Sequence, residues 1–445
     1  MNLFVIGLEY PVSTVVGTLC FLLSPLVLAY RWKRTPSARR LLDAVQRKFT
    51  GRPDWRWLRL EHLMLGLVLV TAANIAWQVA TLHCADDSLA ILASGQAALR
   101  GQNPFLVTYC GGTSPAQIPY GTAEVALNAL GALSGMVLGM WLVWQVLALA
   151  VVPLVWSLAG EDRRYVSAVA ATSVLYLPNI ATNIGVENAV VPVAVLLMLY
   201  AVTLAPRKRG AFTIVAAFLS TARFPALFGL LGTSAPLRRG RAIAQIALVL
   251  GTFFGAVLLS YLLWGWSAIS VVYLGQFSRA SNESLNFFAV VLVQGWLRSS
   301  LVSAAVQGAA LLGLVVFVNW RGYSATAAAA IPLVGVMAVS QYLTFHFVLW
   351  LVPLVLLGGS INRWLYVYGA LAWFDENVPL GYLGLGRGIW WPYEVCGLAL
   401  FAILVYIGLR IARSEEHRLR GPADAAGRVG IADSAGSTER SGAVP

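Results

Sequence analysis

Long uninterrupted apolar stretches recur along the chain from the N-terminus to about residue 409. A membrane-spanning α-helix needs about 20 consecutive, mostly apolar residues. Stretches of this kind lie at about 3–29, 61–81, 134–158, 166–181, 188–205, 242–264, 300–319, 324–344, 346–361 and 390–409. Together with a shorter apolar piece at 364–374, they predict an all-α polytopic membrane protein with about 11 transmembrane helices.

The composition of the 445-residue chain agrees with this prediction. Hydrophobic residues make up 59% of the chain and charged residues 11%, whereas a soluble domain carries about 25% charged residues. The mean hydropathy is +0.74. These values exclude a soluble enzyme, a disordered protein and a nucleic-acid binder. The net charge of +12 requires no nucleic acid as partner, because the basic residues lie in short loops beside apolar stretches, where they orient a membrane protein.

The distribution of basic residues predicts the topology. The densest basic stretch, 31–60, is expected to be a cytoplasmic loop that follows an extra N-terminal span at 1–30. Residues 61–412 then form one membrane domain, and the first outer loop covers 82–133. The tail at 413–445 is rich in Gly, Ser, Ala and charge, which predicts a disordered cytoplasmic segment. We expect a multi-pass protein of the plasma membrane.

One segment conflicts with simple alternation of spans. The basic clusters at 207–209 and 238–241 both look cytoplasmic, yet only one apolar stretch, 211–233, lies between them. Its middle reads Thr221-Ala222-Arg223-Phe224-Pro225. Proline interrupts helical hydrogen bonding, and an arginine in the membrane is costly unless it faces protein or water. We therefore predict a broken, re-entrant hairpin that lines a protein-enclosed cavity.

The first outer loop carries the most informative polar residues. Asp86 and Asp87 precede a stretch, 88–99, whose Leu89, Leu92 and Leu99 recur at helical spacing. This spacing predicts an amphipathic helix on the membrane surface. One interpretation makes the two carboxylates an acidic helix N-cap, worth about 1 kcal/mol. The other makes a carboxylate in a sheltered outer cavity a general base. Both can hold together, with Asp86 as the cap and Asp87 as the base.

Further candidates lie in or beside the apolar spans. Ionisable or polar groups within a membrane are costly and mark functional sites by default, which selects Glu187, Asn188, Arg223 and His346. The alternative for Glu187 and Arg223 is a satisfied internal ion pair, and for His346 a hydrogen-bonded core histidine. The predicted outer loop that contains Arg279 and Asn282 reads by itself as an ordinary polar loop.

Cysteine spacing and sequence motifs add two expectations. Cys84 and Cys110 share the first outer loop, an oxidising location in many cells, and we predict a disulfide that pins the helix bearing the two aspartates. The chain has no P-loop, no GxGxxG after a strand, no CxxC pair and no HExxH. We therefore expect neither nucleotide hydrolysis nor a bound metal.

The order of these motifs resembles a known family. An outer-loop Asp, a surface helix and a turn of the form Gly-x-Asn-Pro-aromatic are similar to the polyprenyl-phosphate-sugar-dependent glycosyltransferases of the GT-C fold, in the branch of the actinobacterial mannosyl- and arabinosyltransferases (glycosyltransferase family 87). The spacing to the turn selects Asp87 rather than Asp86. The resemblance extends in order through Gly185-Val186-Glu187-Asn188, Arg223-Phe224-Pro225, Ser281-Asn282-Glu283-Ser284 and His346.

This resemblance implies a reaction. A sugar, mannose or arabinofuranose, would pass from a polyprenyl-phosphate carrier to a glycan or glycolipid acceptor at the outer face, with inversion and without a metal or other cofactor. Asp87 would be the base, and Arg223, His346 or Arg279 would stabilise the phosphate leaving group. The chain departs from the family at Ile91, where an aromatic residue is usual, at Val186 and Glu187, at Arg223 in place of Lys, in the element Ile118-Pro119-Tyr120-Gly121 and in its extra N-terminal span.

Two other functions remain open from the sequence. A transporter or flippase of a polar or lipid-linked solute would use Glu187 and Arg223 as a site in the middle of the membrane. A non-catalytic membrane scaffold would leave Asp87 freely replaceable. The order of the motifs favours the glycosyltransferase.

Overall fold

The computed structural model describes residues 60–80, 87–108, 116–117, 120–175, 187–204, 206–274, 300–340, 345–381 and 391–420. The predicted N-terminal span, most of the basic loop at 31–60 and the tail beyond 420 lie outside these ranges. So do Asp86, the predicted pair Cys84 and Cys110, and the loop residues Arg279 and Asn282.

The described residues are mostly helical. The α-helices are α1 (Leu60–Ala80), α2 (Asp87–Leu99), α3 (Thr122–Ala132), α4 (Val137–Leu158), α5 (Glu161–Leu175), α6 (Val190–Thr203), α7 (Pro206–Ser220), α8 (Pro225–Gly232), α9 (Arg239–Trp264), α10 (Ser300–Arg321), α11 (Ala325–Val339), α12 (Ser360–Gly381) and α13 (Trp391–Arg420). Ser267–Ile269 form a short helix, Ser270–Leu274 a π-helical turn and Phe345–Leu357 a 3₁₀ helix. The strands β1 (Leu106–Val107) and β2 (Ala116–Gln117) pair antiparallel, with Leu106 opposite Gln117.

The helices fit an all-α membrane protein. In the described part of the chain, three helices are long and apolar enough to cross a membrane: α4, α9 and the part of α13 from Val395 to Arg420. Only 17% of the apolar window in α9 is buried, and Leu258, Leu262 and Leu263 on this helix are exposed, as expected for a lipid-facing helix. The total of about 11 spans stays a prediction. The short apolar piece at 364–374 lies within α12, a longer helix than the sequence pattern predicted.

Small residues let the central helices pack closely. Ala327, Ala328, Ala329 and Ala330 in α11 are fully buried. A Cβ atom at Gly232, the last residue of α8, would lie 1.9 Å from the Ala328 carbonyl oxygen. The backbone of α8 therefore lies directly on that of α11, and no larger residue fits at this crossing.

Basic side chains gather at one end of the helix bundle. Arg163 donates to the Leu357 carbonyl (3.0 Å) and Arg410 to the Ser360 hydroxyl (3.1 Å). Arg209 donates to the Val202 and Leu204 carbonyls at the end of α6, both at 3.1 Å. Arg321 forms an ion pair with Glu416. We call this the basic end of the bundle, defined by Arg163, Arg209, Arg321 and Arg410.

The segment 211–233 folds back on itself, as the sequence predicted. At the basic end, Thr233 beyond α8 accepts a hydrogen bond from Gln245 near the start of α9 (3.2 Å). At the other end, Tyr273 points its hydroxyl at the Thr221 carbonyl just beyond α7 (3.5 Å), and the π-helical turn that carries Tyr273 follows the end of α9. Helix α7 thus leaves the basic end and α8 returns to it, with the break at residues 221–224. That this hairpin enters a membrane from one side stays a prediction.

The end of α13 corrects one boundary. Residues 413–420, predicted as the start of a disordered tail, continue the helix to Arg420. Glu415 accepts hydrogen bonds from the Ser324 amide and hydroxyl, both at 2.9 Å, and Glu416 accepts one from the Tyr323 hydroxyl (2.8 Å). These bonds to the turn between α10 and α11 hold the charged end of α13 in place.

The predicted outer-loop helix forms, but it buries a different face. Helix α2 covers Asp87–Leu99, yet Ile91 and Ser94 are fully buried, whereas Leu99 is 48% exposed. The reason is the packing of α3, since a Cβ atom at Gly95 would lie 2.3 Å from the Asn128 carbonyl oxygen. The small residue admits the α3 backbone and turns the predicted apolar face partly outward.

Candidate functional site

The break between α7 and α8, residues 221–224, docks on the start of α3. The Gly121 amide donates to the Ala222 carbonyl (3.2 Å). The Ala123 amide donates to the Thr221 hydroxyl (3.0 Å), which satisfies one of the free amides at a helix N-terminus. A Cβ atom at Gly121 would lie 1.5 Å from the Thr221 carbonyl oxygen. Only glycine therefore allows this contact, which fixes the backbone of Arg223 beside α3.

Arg223 connects two buried carboxyl groups. Its Nη2 atom lies 3.3 Å from Glu124 Oε1 and 3.5 Å from Glu187 Oε2. The side chains of Glu124 and Glu187 are 0% and 1% exposed, and that of Arg223 is 14% exposed. The guanidinium also lies over the Tyr120 ring, 4.5 Å from its centroid, in a cation–π contact. We call Arg223, Glu124, Glu187 and Tyr120 the Arg223 cluster.

The ion pair between Glu187 and Arg223 is the internal pair that the sequence left open as an alternative. Glu187 and the adjacent Asn188 precede α6 and are both buried. The structure adds a second carboxylate, Glu124, from helix α3. Two segments that are far apart in sequence therefore meet at the guanidinium carried by a third.

The hydrogen bonds of the cluster are incomplete within the described residues. Nε of Arg223 and Oε2 of Glu124 are buried and have no hydrogen-bond partner among them. The Glu187 carboxyl lies within reach of Glu124, but it can donate only when protonated, because a carboxylate only accepts. Burial raises the pKa of Glu124 to about 7, although the charge of Arg223 and the contact with Glu187 act in the opposite direction. Glu124 can therefore gain or lose a proton near neutral pH.

His346 lies at the same end of the bundle. It is the second residue of the 3₁₀ helix, is partly buried and lies within electrostatic reach of Arg223. Its ring meets that of Phe347 edge-on at 5.5 Å, and Phe347 stacks on Trp350 at 4.0 Å. The structure thus brings together Arg223, Glu187 and His346, which the sequence selected separately.

Asp87 begins α2, the helix next to this cluster, although its side chain is not described. Ala90 and Ala97 of α2 form a buried group with Val107, and Tyr120 packs against this group. The predicted base therefore belongs to an element that contacts the Arg223 cluster, and its catalytic role stays a prediction. Asp86, Arg279 and Asn282 lie outside the described residues.

The turn at 101–105, which carries the family resemblance, ties the segment after α2 to the end of α9. Asn103 donates to the Ser267 hydroxyl (2.7 Å) and accepts from the Phe105 amide (3.0 Å). Phe105 is fully buried and meets Trp264 edge-on at 5.8 Å. Gly101 has a φ of 70°, a value that favours glycine. These contacts make the turn a structural anchor of the segment between α2 and α3.

Comparison with known proteins leaves the family open. No model of a known protein family matches the chain, and no curated protein matches it. Among the described residues, no three His, Cys, Asp or Glu side chains are grouped so that they could hold a metal ion.

Sequence reasoning missed Glu124 and Tyr120. A signal was available for Glu124, because Glu124 and Asn128 are four residues apart in an otherwise apolar helix and share a face. Both are fully buried, and Asn128 accepts a hydrogen bond from the Trp144 indole (3.1 Å). For Tyr120 the sequence offered no comparable signal.

Proposed function

We propose that this protein is an integral membrane glycosyltransferase. It moves a sugar, mannose or arabinofuranose, from a polyprenyl-phosphate carrier to a glycan or glycolipid acceptor at the extracytoplasmic face of the plasma membrane. The anomeric centre is inverted, and the reaction needs no metal or other cofactor. The observation that carries the proposal is the position of the Arg223 cluster at the end of the bundle opposite the basic end.

The position can be measured along α9. Thr122, two residues before Glu124, contacts the Ser260 hydroxyl at 2.9 Å. Ser260 lies about 30 Å along the helix axis from Arg239, where α9 begins, at a rise of about 1.5 Å per residue. A bilayer core is about 30 Å thick, so the contact between Thr122 and Ser260 lies near the outer boundary if Arg239 lies at the cytoplasmic one. The phosphate of a lipid carrier lies at such a boundary, whereas transporter sites typically lie near the midplane.

In the proposed reaction, Asp87 removes a proton from an acceptor hydroxyl. The hydroxyl oxygen attacks the anomeric carbon of the donor, the bond from this carbon to the phosphate oxygen breaks, and polyprenyl phosphate leaves. Negative charge accumulates on the leaving oxygen, where a fixed cation has its largest effect. Arg223 supplies this cation, and its guanidinium can contact two phosphate oxygens, which lysine cannot.

The test is transfer by the purified full-length protein with a panel of polyprenyl-phosphate sugars. Asp87→Asn should reduce the rate by about 10²- to 10⁴-fold, the usual contribution of a general base. Asp86→Asn, the same change one residue earlier, is the matched control and should retain most activity. Unchanged transfer by Asp87→Asn would refute the assignment of the base, and no transfer by the wild type with any donor would refute the function.

A transporter or flippase is the second candidate, because the buried pair of Glu187 and Arg223 also suits a polar or lipid-linked solute. Reconstituted vesicles distinguish the two functions. A transporter moves labelled solute across the membrane without chemical change, whereas the proposed enzyme forms a new glycosidic bond on one side only.

A further inference from the structure

The charges of the Arg223 cluster do not balance when both acids are ionised. One guanidinium then faces two carboxylates, both fully buried, and the cluster carries one net negative charge. Buried charges are tolerated only when they are paired. A single proton on the carboxyl pair restores neutrality, and the closeness of Glu124 and Glu187 allows them to share it.

A phosphate anion makes this imbalance larger. The proposed donor is a phosphodiester with one negative charge, and its binding to Arg223 would bring a third anion to one cation. Like charges in a poorly solvated site repel strongly. Without proton uptake the doubly ionised site would go from one net negative charge to two, whereas one proton taken up by a carboxyl from the solvent keeps the net charge unchanged.

Two unused polar atoms indicate where the ligand binds. Nε of Arg223 is a buried donor and Oε2 of Glu124 a buried acceptor, and neither has a partner among the described residues. A phosphate oxygen would accept from Nε, and a proton carried by Glu124 would turn Oε2 from an acceptor into a donor to the same anion. A bound phosphate and a protonated Glu124 would give each of these two atoms a hydrogen-bond partner.

We infer that the Arg223 cluster is a proton-coupled phosphate site, in which a lipid phosphodiester binds to Arg223 with uptake of one proton by the pair Glu124 and Glu187. This inference rests on the proposed function for the identity of the anion. It adds that the affinity for the donor falls as the pH rises. A general base that must be deprotonated has the opposite effect, because it makes the chemical step faster as the pH rises.

The groups that face Glu124 come from several elements. The ionisable or charged ones are Arg223 in the break between α7 and α8, Glu187 before α6, Tyr120 before α3, Tyr273 in the π-helical turn near Thr122, and His346 of the 3₁₀ helix, which lies within electrostatic reach of Arg223. Helix α4 has no ionisable side chain, and Asp87 is the first residue of α2. Of these groups, Glu124 and Glu187 are the acids that contact the guanidinium.

The size of the effect follows from linkage. Burial raises the pKa of Glu124 to about 7, so the free site is mostly protonated at pH 6 and mostly ionised at pH 8. If binding requires the protonated form, the apparent affinity falls about tenfold between these two pH values.

The experiment is calorimetric titration of the full-length protein in detergent micelles with a long-chain polyprenyl methyl phosphate. This probe keeps one negative charge across the pH range and has no sugar to transfer. At pH 8, titrations in buffers of different ionisation enthalpy report proton uptake, and we expect about one proton per bound phosphate. Glu124→Gln should remove most of the uptake and the pH dependence. Glu416→Gln, the same change at the basic end, should leave both unchanged.

Three outcomes would overturn the inference: binding without proton uptake, equal uptake by wild type and Glu124→Gln, or no binding of the probe at any pH. The proposed function fails separately. Proton-coupled binding of the probe without sugar transfer from any donor would refute the enzyme and keep the phosphate site. Sugar transfer with pH-independent binding of the probe would refute the proton-coupled phosphate site and keep the enzyme.

Discussion

Removal of the cation from the Arg223 cluster should destabilise the protein in a pH-dependent manner. Arg223→Met keeps much of the side-chain volume but leaves Glu124 and Glu187, which are 0% and 1% exposed, without their cation. Removing one partner of a buried ion pair costs about 3–5 kcal/mol. We expect a loss of this size at pH 8, because the two buried carboxyls must then either stay ionised without their cation or hold a proton well above the ordinary pKa of a carboxyl.

The loss should be smaller at pH 6. Burial already raises the pKa of Glu124 from its ordinary 4.5 to about 7, and removal of Arg223 raises this pKa further. An acid with a raised pKa in the folded state loses stability as the pH rises from its unfolded pKa to its folded pKa. In Arg223→Met this range extends to higher pH, so the difference from wild type grows between pH 6 and pH 8. Protonation at pH 6 removes part of the buried charge.

The assay is equilibrium unfolding in detergent micelles at both pH values, followed by tryptophan fluorescence. The double variant Arg223→Met/Glu124→Gln should recover part of the lost stability at pH 8, because it removes one of the two uncompensated charges. Arg321→Met is the matched control, since its partner Glu416 lies at the partly exposed basic end and exposed pairs contribute little. A loss from Arg223→Met that is independent of pH, or no larger than that from Arg321→Met, would refute the reasoning.

Two further predictions concern the hairpin. Gly121→Ala should cost about 1–3 kcal/mol by overpacking, since the new methyl group would lie 1.5 Å from the Thr221 carbonyl oxygen. The matched control Gly251→Ala, within α9 and with open space around it, should be neutral or stabilising by up to about 1 kcal/mol; equal effects in thermal unfolding would contradict the docking of α3. Single-cysteine reporters at 208 and 236 should both be labelled from the cytoplasmic side in oriented vesicles, and opposite labelling would replace the hairpin with a true crossing.

Periodicity and charge predicted much of the helical framework. The break at 221–224 followed from two basic clusters separated by one apolar stretch and from Pro225, and α7 and α8 fold back as these signals require. The pairing of Glu187 with Arg223 was also open from the sequence, because buried ions need partners. Both inferences rest on the free-energy cost of a proline or an unpaired charge in an apolar segment. This cost can be judged without knowing how the helices pack.

The remaining features depend on long-range packing. Glu124 lies 99 residues from Arg223 in sequence, and no local pattern links them. The buried face of α2 was predicted wrongly because Gly95 admits the backbone of α3, a contact that a periodicity rule cannot include. The helical continuation to Arg420 was missed because Glu415 and Glu416 look like solvated tail residues until Ser324 and Tyr323 are placed beside them.

The docking of α3 limits how the site can work. A broken hairpin inside an apolar bundle needs partners for its freed backbone groups, and the Ala222 carbonyl and Thr221 hydroxyl obtain them from the amides of Gly121 and Ala123. The backbone around Arg223 is therefore held by the same helix that supplies Glu124. A ligand that draws the guanidinium away from the carboxyls can move the side chain but must leave these hydrogen bonds intact. The proposed phosphate site would therefore bind its ligand by side-chain movement of one guanidinium on a fixed backbone, which suits a phosphate that arrives from the lipid better than a solute that must pass through the bundle.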